Sequence, residues 1–118
     1  MDIISVYTKK EAVEDGSQML VSDLAKEQGF NVPVYITSGV VEYCNPPEGL
    51  EGVQDFKGRL WDVLTLARME ALRMKKEEDY FGKFTVSFLM KNEVTNDVSL
   101  FIVFNEHEGF TIMLPDEY

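Results

Sequence analysis

Two side chains that could serve covalent or acid–base chemistry, Cys44 and His107, occur once each in this sequence. A Ser-His-Asp or Cys-His centre requires a histidine base, and only His107 could fill that role. His107 lies in the polar run NEHEG, which is typical of a turn between strands, and it is far along the chain from Cys44. No nucleophile-elbow pattern is present. We therefore predict that His107 is a solvated loop residue and that the chain has no catalytic residue.

Metal and cofactor sites are also weakly indicated. Glu106, His107 and Glu108 carry suitable ligand atoms, but three adjacent residues rarely converge on one ion. A single cysteine and a single histidine cannot form a four-ligand Cys/His zinc site, and one cysteine cannot form an intrachain disulfide. The glycines match neither the dinucleotide-binding nor the phosphate-loop spacing. We expect no metal, no cofactor and no enzymatic activity.

Four residues close together in sequence form the best candidate binding site: Asp55, Arg59, Trp61 and Asp62. Arg59 and Asp62 are three residues apart, which permits an ion pair on the surface of a helix. Asp55 and Asp62 would need an apolar cleft to act as an acid–base pair. A structural role as a turn and helix cap is favoured over a binding role. The alternative is a small-ligand or enzymatic site in this region.

The element that positions these residues is a long helix, predicted from about Arg59 to about Glu78. Asp55 and Gly58 predict a turn before it. Apolar residues recur along the helix at spacings of three and four. They are Leu60, Val63, Leu64, Ala67, Ala71 and Met74, with Trp61, Leu66 and Leu72 beside them. The simplest interpretation places Trp61 in the core, whereas an exposed Trp61 would mark a binding hot spot.

The last third of the chain predicts a sheet. Alternating apolar residues mark strands at Phe84–Met90 and Val98–Phe104, and FTIML marks a third at Phe110–Leu114. Polar turns at Lys91–Asp97 and Asn105–Gly109 separate them. Consecutive strands with short turns favour a three-stranded antiparallel meander, and the long helix is the obvious cover for its apolar face.

The first third predicts short elements. Thr8 is a candidate cap for a helix at Lys9–Asp15, and Ser22 for one at Asp23–Gln28. Thr37 could cap a third helix that runs to Tyr43 or Cys44. Short strands are expected at Met19–Val21 and Val34–Ile36. The prolines and glycines of Asn45–Gly52 mark a surface loop. We predict an α+β fold in one domain, residues 1–118, with a three-stranded or larger antiparallel sheet packed against one long helix and short helices at the N-terminus.

The net charge of −10 constrains partners. Residues 1–56 carry three Lys/Arg against ten Asp/Glu, whereas residues 57–80 carry six against five. Because affinity for phosphate backbones comes mainly from Lys and Arg, we expect no direct nucleic-acid binding. Solubility is the simplest explanation of the acidity; the alternative is an acidic face that meets a basic partner or imitates the charge of a nucleic acid.

The cellular location is expected to be the cytoplasm. The sequence MDIISVYTKK has neither the charged nor the apolar region of a signal peptide, and no run approaches the ~20 apolar residues of a membrane span. We predict no membrane association.

Three blocks of the sequence resemble a family of short bacterial, plasmid and phage proteins to which no activity is assigned. The family pattern has a tyrosine-threonine start to an EA-x-x-DG helix, a D-x-x-GRLWDVL block and an xIMLP ending. The matching residues here are Tyr7, Thr8, Glu11, Ala12, Asp15 and Gly16; Asp55, Gly58, Arg59, Leu60, Trp61, Asp62, Val63 and Leu64; and Ile112, Met113, Leu114 and Pro115. The blocks span nearly the whole chain.

The resemblance implies a self-contained accessory protein of a mobile element or its host. Together with the net charge of −10 and the lack of a catalytic motif in the sequence, the resemblance favours a non-enzymatic module that binds a protein partner. If the acidic surface is what binds, that partner is expected to be basic. The alternatives are a nucleic-acid mimic that inhibits a defence or restriction complex, a small-ligand or enzymatic protein, and plain self-association as a homodimer.

Overall fold

The computed structural model describes residues 9–50, 52, 55–90 and 94–118. The helices are α1 (Lys9–Glu14), α2 (Ser22–Gln28), α3 (Ser38–Cys44) and α4 (Phe56–Glu77). The strands are β1 (Gln18–Leu20), β2 (Val34–Thr37), β3 (Phe81–Leu89), β4 (Thr95–Asn105) and β5 (Gly109–Met113). A 3-10 helix, Pro115–Glu117, follows β5. The fold class is α+β with one long helix, as the sequence predicts.

The sheet has five strands and is mixed. Its strand order is β1-β2-β5-β4-β3. The neighbours β3–β4, β4–β5 and β1–β2 are antiparallel, but β2 and β5 are parallel, with Val34 opposite Phe110 and Ile36 opposite Ile112. The C-terminal strands β3, β4 and β5 are antiparallel neighbours, but the whole sheet is not a three-stranded meander, and the prediction that it is antiparallel throughout is wrong. β2 lies beside β5 because Val34 and Ile36 are buried in the same core as Ile102 and Ile112, whereas Met19 and Leu20 of the edge strand β1 are exposed.

The long helix begins earlier than predicted. Asp55 is its N-cap, and the carboxylate accepts a hydrogen bond of 2.7 Å from the backbone N–H of Gly58. The Asp55–Gly58 segment is therefore the first turn of α4 rather than a separate turn. An aspartate cap satisfies one of the free N–H groups at a helix start, which explains how α4 tolerates a glycine in this turn.

The short N-terminal helices lie where predicted, but their capping contacts differ. The residue before α2 is Val21, and Ser22 is the first helical residue; its hydroxyl accepts a 3.4 Å hydrogen bond from the N–H of Val34. Thr37 is the N-cap residue of α3, as predicted, but its hydroxyl donates to the Glu117 carboxylate at 2.6 Å and makes no capping hydrogen bond. Thr8 lies outside the described residues.

One face of α4 forms the core with the sheet. Leu60, Val63, Leu64, Ala67 and Met74 pack against Val86, Phe88, Leu100, Ile102 and Ile112, and all are buried. Trp61 is 39% exposed and Leu72 is 54% exposed, so the interpretation of Trp61 as a core residue is wrong. The helix positions of these two side chains lie on the side that faces away from the core.

Candidate functional site

Two of the four residues that the sequence singles out have structural roles. Asp55 caps α4. Arg59 is buried, with 4% of its surface exposed, rather than on the surface beside Asp62. Its guanidinium donates a 2.9 Å hydrogen bond to the carbonyl oxygen of Tyr43 and a second to that of Leu89. Arg59 thus connects the ends of α3 and β3 to the first turns of α4.

Cys44, the only cysteine, is buried near Arg59, and burial determines the pKa of its thiol. Burial lowers the pKa of Arg59 and raises the pKa of Cys44 to about 12. The positive charge of Arg59 opposes the rise for Cys44 but is the smaller effect. A fully buried thiol with a raised pKa is not a nucleophile at neutral pH.

The other two predicted residues, Trp61 and Asp62, are exposed on α4. The Trp61 carbonyl accepts a 2.8 Å hydrogen bond from the Thr65 hydroxyl and a 3.5 Å hydrogen bond from the side-chain amide of Gln28 in α2. The backbone of Trp61 therefore lies where α2 meets α4. The structure places the four predicted residues in different roles: a cap, a buried bridge and two surface positions.

A groove of about 830 Å³ lies further along α4. We call it the α4 groove. One wall is the second half of α4, from Arg68 to Glu78; the other is the segment Gly29–Val32 that follows α2; and Tyr80, Phe104 and Phe110 close the end beside the sheet. Its volume lies within the roughly 300–1,000 Å³ of typical ligand sites.

Aromatic side chains form the floor of the α4 groove. The ring of Phe110 packs edge-on against Phe30, with centroids 5.5 Å apart, and lies 4.8 Å from Phe104. Tyr80 stacks on Phe104 at 6.0 Å with an interplanar angle of 4°. Such packed aromatic pairs favour a rigid surface, because their geometry restricts ring motion.

Tyr80 forms the polar edge of this floor. It is 57% exposed, and its hydroxyl donates a 2.8 Å hydrogen bond to the Glu106 carboxylate. That hydrogen bond, with the negative charge of Glu106, raises the pKa of Tyr80. The phenol therefore stays neutral at physiological pH and presents an uncharged ring to the groove.

Charged residues on the helix wall are paired unevenly. Arg73 contacts the carboxylates of Glu70 at 2.8 Å, Glu77 at 3.0 Å and Asp79 at 2.9 Å. The hydrogen bond from Arg73 also lowers the pKa of Glu70. In contrast, within the described part of the chain no ion pair joins Arg68 or Lys75 to a carboxylate. The groove wall therefore carries two available cations.

Glu78, at the end of the groove, has a left-handed backbone conformation. It is the C-cap of α4 with φ 58°, the one positive φ outside glycine among the described residues. This conformation costs a non-glycine residue about 1–2 kcal/mol, and helices usually place a glycine here. Strain of this kind is common at functional sites.

Replacing Glu78 by glycine is expected to raise the free energy of unfolding by about 0.5–1 kcal/mol. The gain is the relief of left-handed strain, reduced by the greater flexibility of glycine in the unfolded chain. Urea denaturation measures it. Glu78→Ala is the matched control, because it removes the carboxylate but keeps the strain. Equal stabilisation by both variants would show that charge, not backbone strain, is responsible.

The predicted loop residue His107 does not line the α4 groove. His107 is exposed in the β4–β5 turn, as predicted, with its N–H bonded to the Asn105 side chain at 2.8 Å. Over the described ranges, no three His, Cys, Asp or Glu residues are placed to hold a metal ion. None of the helices described combines the length and apolar character needed to cross a membrane.

Lys9 lies on the sheet face opposite α4. Its ammonium group is 4.8 Å from the centroid of the Tyr35 ring and donates to the side chains of Gln18, at 2.6 Å, and Thr111. Burial lowers its pKa, and the charge of Glu108 partly offsets this. These contacts attach α1 to the sheet.

Sequence reasoning did not identify the α4 groove, because its walls come from three separate segments. One signal was available. Leu72 and Met69 are apolar but lie off the stripe that marks the core face, and they are 54% and 60% exposed. The sequence matches no protein-family model, and no curated protein or solved structure is significantly similar to it.

Proposed function

We propose that this chain is a non-enzymatic protein-interaction module and that the α4 groove is its docking site. The main support for this proposal is the groove, which has a volume of about 830 Å³ and an aromatic floor. The exposed side chains of Leu72 and Tyr80 border it. Concave apolar surfaces with an exposed aliphatic or aromatic edge are where partner side chains are buried.

A protein is favoured over a small molecule because apolar surface continues outside the groove. Trp61, Met69 and Leu72 are all exposed on α4. Their spacing of eight and three residues distributes them along the outward side of the helix. A partner protein could cover both this side and the groove, whereas a small molecule would fill only the groove.

The net charge favours a partner whose surface is basic overall. At −10, the chain attracts positively charged proteins over a distance of about one Debye length and repels acidic ones. Attraction of this type increases the association rate more than the affinity of the final complex. The resemblance to accessory proteins of mobile elements agrees with a partner in the host machinery.

Affinity purification with matched variants tests this proposal. The tagged protein is expected to retain a specific partner from a lysate of cells that carry the gene, and Leu72→Asp is expected to lose it because a carboxylate enters the apolar edge of the groove. Val94→Asp is the control, since Val94 is 59% exposed and lies before β4, at the end opposite Phe104. Circular dichroism verifies that each variant is folded.

Two results would contradict the proposal. One is that the wild type retains no partner at low or moderate salt; the other is that Leu72→Asp and the wild type retain the same partner equally well. A retained nucleic-acid-handling protein that dissociates as salt rises would favour the nucleic-acid mimic, because the acidic surface and not the groove would then carry the binding.

A further inference from the structure

We infer that the α4 groove takes a partner segment in which one large apolar side chain is flanked by carboxylates. This inference rests on the proposed function and specifies the chemistry of the segment that enters the groove. Its basis is the pair of cations on the helix wall, which the chain leaves without an acidic partner among its described residues.

The two cations flank an exposed apolar side chain. Arg68, Leu72 and Lys75 follow a spacing of four and three residues, so they share one side of α4. Seven residues of helix separate the two cations along the axis by about 10 Å. The wall therefore presents a cation, an apolar surface and a second cation in a line.

The chain is acidic, yet among its described residues no carboxylate forms an ion pair with Arg68 or Lys75. The sequence has 21 Asp and Glu residues, and Arg73 on the same helix contacts three of them. Asp79 lies in the groove but is already bound to Arg73. No carboxylate of the described residues is therefore paired with Arg68 or Lys75, and both can contact carboxylates of a partner.

The side chain of Arg68 lies close to Gly29, on the other wall of the groove. A Cβ atom at Gly29 would lie 3.4 Å from the Arg68 Nε, which is ordinary contact distance, so the side chain lies against the opposite wall of the groove. Glu78 lies beyond Lys75 at the other end. Its negative charge disfavours further carboxylates there, which limits the acidic contacts to the stretch between Arg68 and Lys75.

The spacing gives the form of the segment. In a polyproline II segment, which has three residues per turn and rises about 3.1 Å per residue, residues three apart lie on the same side and about 9 Å apart, close to the distance between the two cations. The segment would carry Asp or Glu three residues apart with a Leu, Ile, Met or Phe between them. The apolar side chain would contact Leu72 and enter over Phe104 and Phe110. Such a segment can belong to a partner that is basic elsewhere, in agreement with the net charge.

Selection from a phage-displayed library of random 12-residue peptides tests this inference. The full chain is the bait, and enriched peptides are synthesised and measured by fluorescence anisotropy. We expect peptides with an apolar residue between carboxylates, whose affinity falls at least about tenfold for Arg68→Glu/Lys75→Glu because two charge-assisted contacts become repulsive. Lys10→Glu/Lys57→Glu is the control, since it changes the net charge equally at exposed positions outside the groove.

The outcomes separate the inference from the proposed function. Enriched peptides that lack carboxylates, or that bind both double variants equally, would overturn the inference; if Leu72→Asp still abolishes their binding, the groove remains the docking site. No enrichment, or peptides insensitive to Leu72→Asp, would contradict both. Acidic–apolar peptides that depend on Arg68, Lys75 and Leu72 would support both.

Discussion

Replacing Gly109 by alanine is expected to lower the free energy of unfolding by about 3 kcal/mol or more. Gly109 has φ 94°, which costs other residues about 1–2 kcal/mol. A Cβ atom there would also overlap the carbonyl oxygen of Pro33 and lie 3.0 Å from its carbonyl carbon. Overlap with the backbone cannot be relieved by a side-chain rotation. Overpacking of this kind lowers the free energy of unfolding by a further amount of about 1–3 kcal/mol.

The glycine is required because two backbone segments meet there. Phe110 N–H donates a 2.9 Å hydrogen bond to the Pro33 carbonyl, immediately before the β2–β5 pairing begins with Val34 and Phe110. A side chain at position 109 would push β2 away from β5. Urea denaturation and the dispersion of amide NMR signals in β2 measure the two consequences.

Gly49→Ala is the matched control. Gly49 also has φ 94°, but a Cβ atom there would have nothing within 4 Å. Its replacement should therefore cost only the left-handed strain, about 1–2 kcal/mol. If the two variants lost equal stability, the close approach to Pro33 would not be the cause.

Replacing Arg59 by methionine is expected to cost about 3 kcal/mol of stability. Methionine fills much of the volume but leaves the carbonyls of Tyr43 and Leu89 without the guanidinium donors. Each buried group left unsatisfied costs about 1–3 kcal/mol. The contact of the guanidinium with the Phe88 ring, at 5.2 Å, is lost as well.

Arg59→Lys separates this structural role from the binding role that the sequence permits. An ammonium group is a compact donor and cannot reproduce a planar fork that reaches two carbonyls, so an intermediate loss of stability is expected. Thermal and urea unfolding give the comparison. A binding residue would instead show near wild-type stability in both variants, with affected partner binding, and that result would contradict the role assigned here.

The sequence predicts those elements whose patterns are local. The long helix follows from repeated three- and four-residue spacing, and β3, β4 and β5 follow from alternation of apolar residues within each strand. Their boundaries shift because Asp55 can cap a helix or begin a turn, and only the surrounding structure decides which. Thr37 shows the same ambiguity, since its hydroxyl bonds to Glu117 from the other end of the chain.

The mixed sheet and the groove were not predictable in this way. No local pattern specifies that Val34 lies opposite Phe110, because apolar strands of this length suit parallel and antiparallel neighbours equally. Apolar character and helical spacing predict Trp61 in the core because they do not by themselves distinguish the edge of an apolar stripe from its centre. The groove depends on the mixed sheet, since Phe30 reaches Phe110 only once β2 pairs with β5.

The parallel pairing of β2 with β5 also determines the order of assembly. The β3–β4 and β4–β5 hairpins join strands adjacent in sequence, whereas β2 and β5 are separated by α3, α4, β3 and β4. Closing a longer loop costs more entropy, so we expect the hairpins to form before the N-terminal strands dock. Native proteins open locally in cooperative units of different stability, and we expect the N-terminal third to be the unit that opens first. The Gly29–Val32 wall belongs to this segment, so its opening would take the groove apart while the β3–β4–β5 sheet persists.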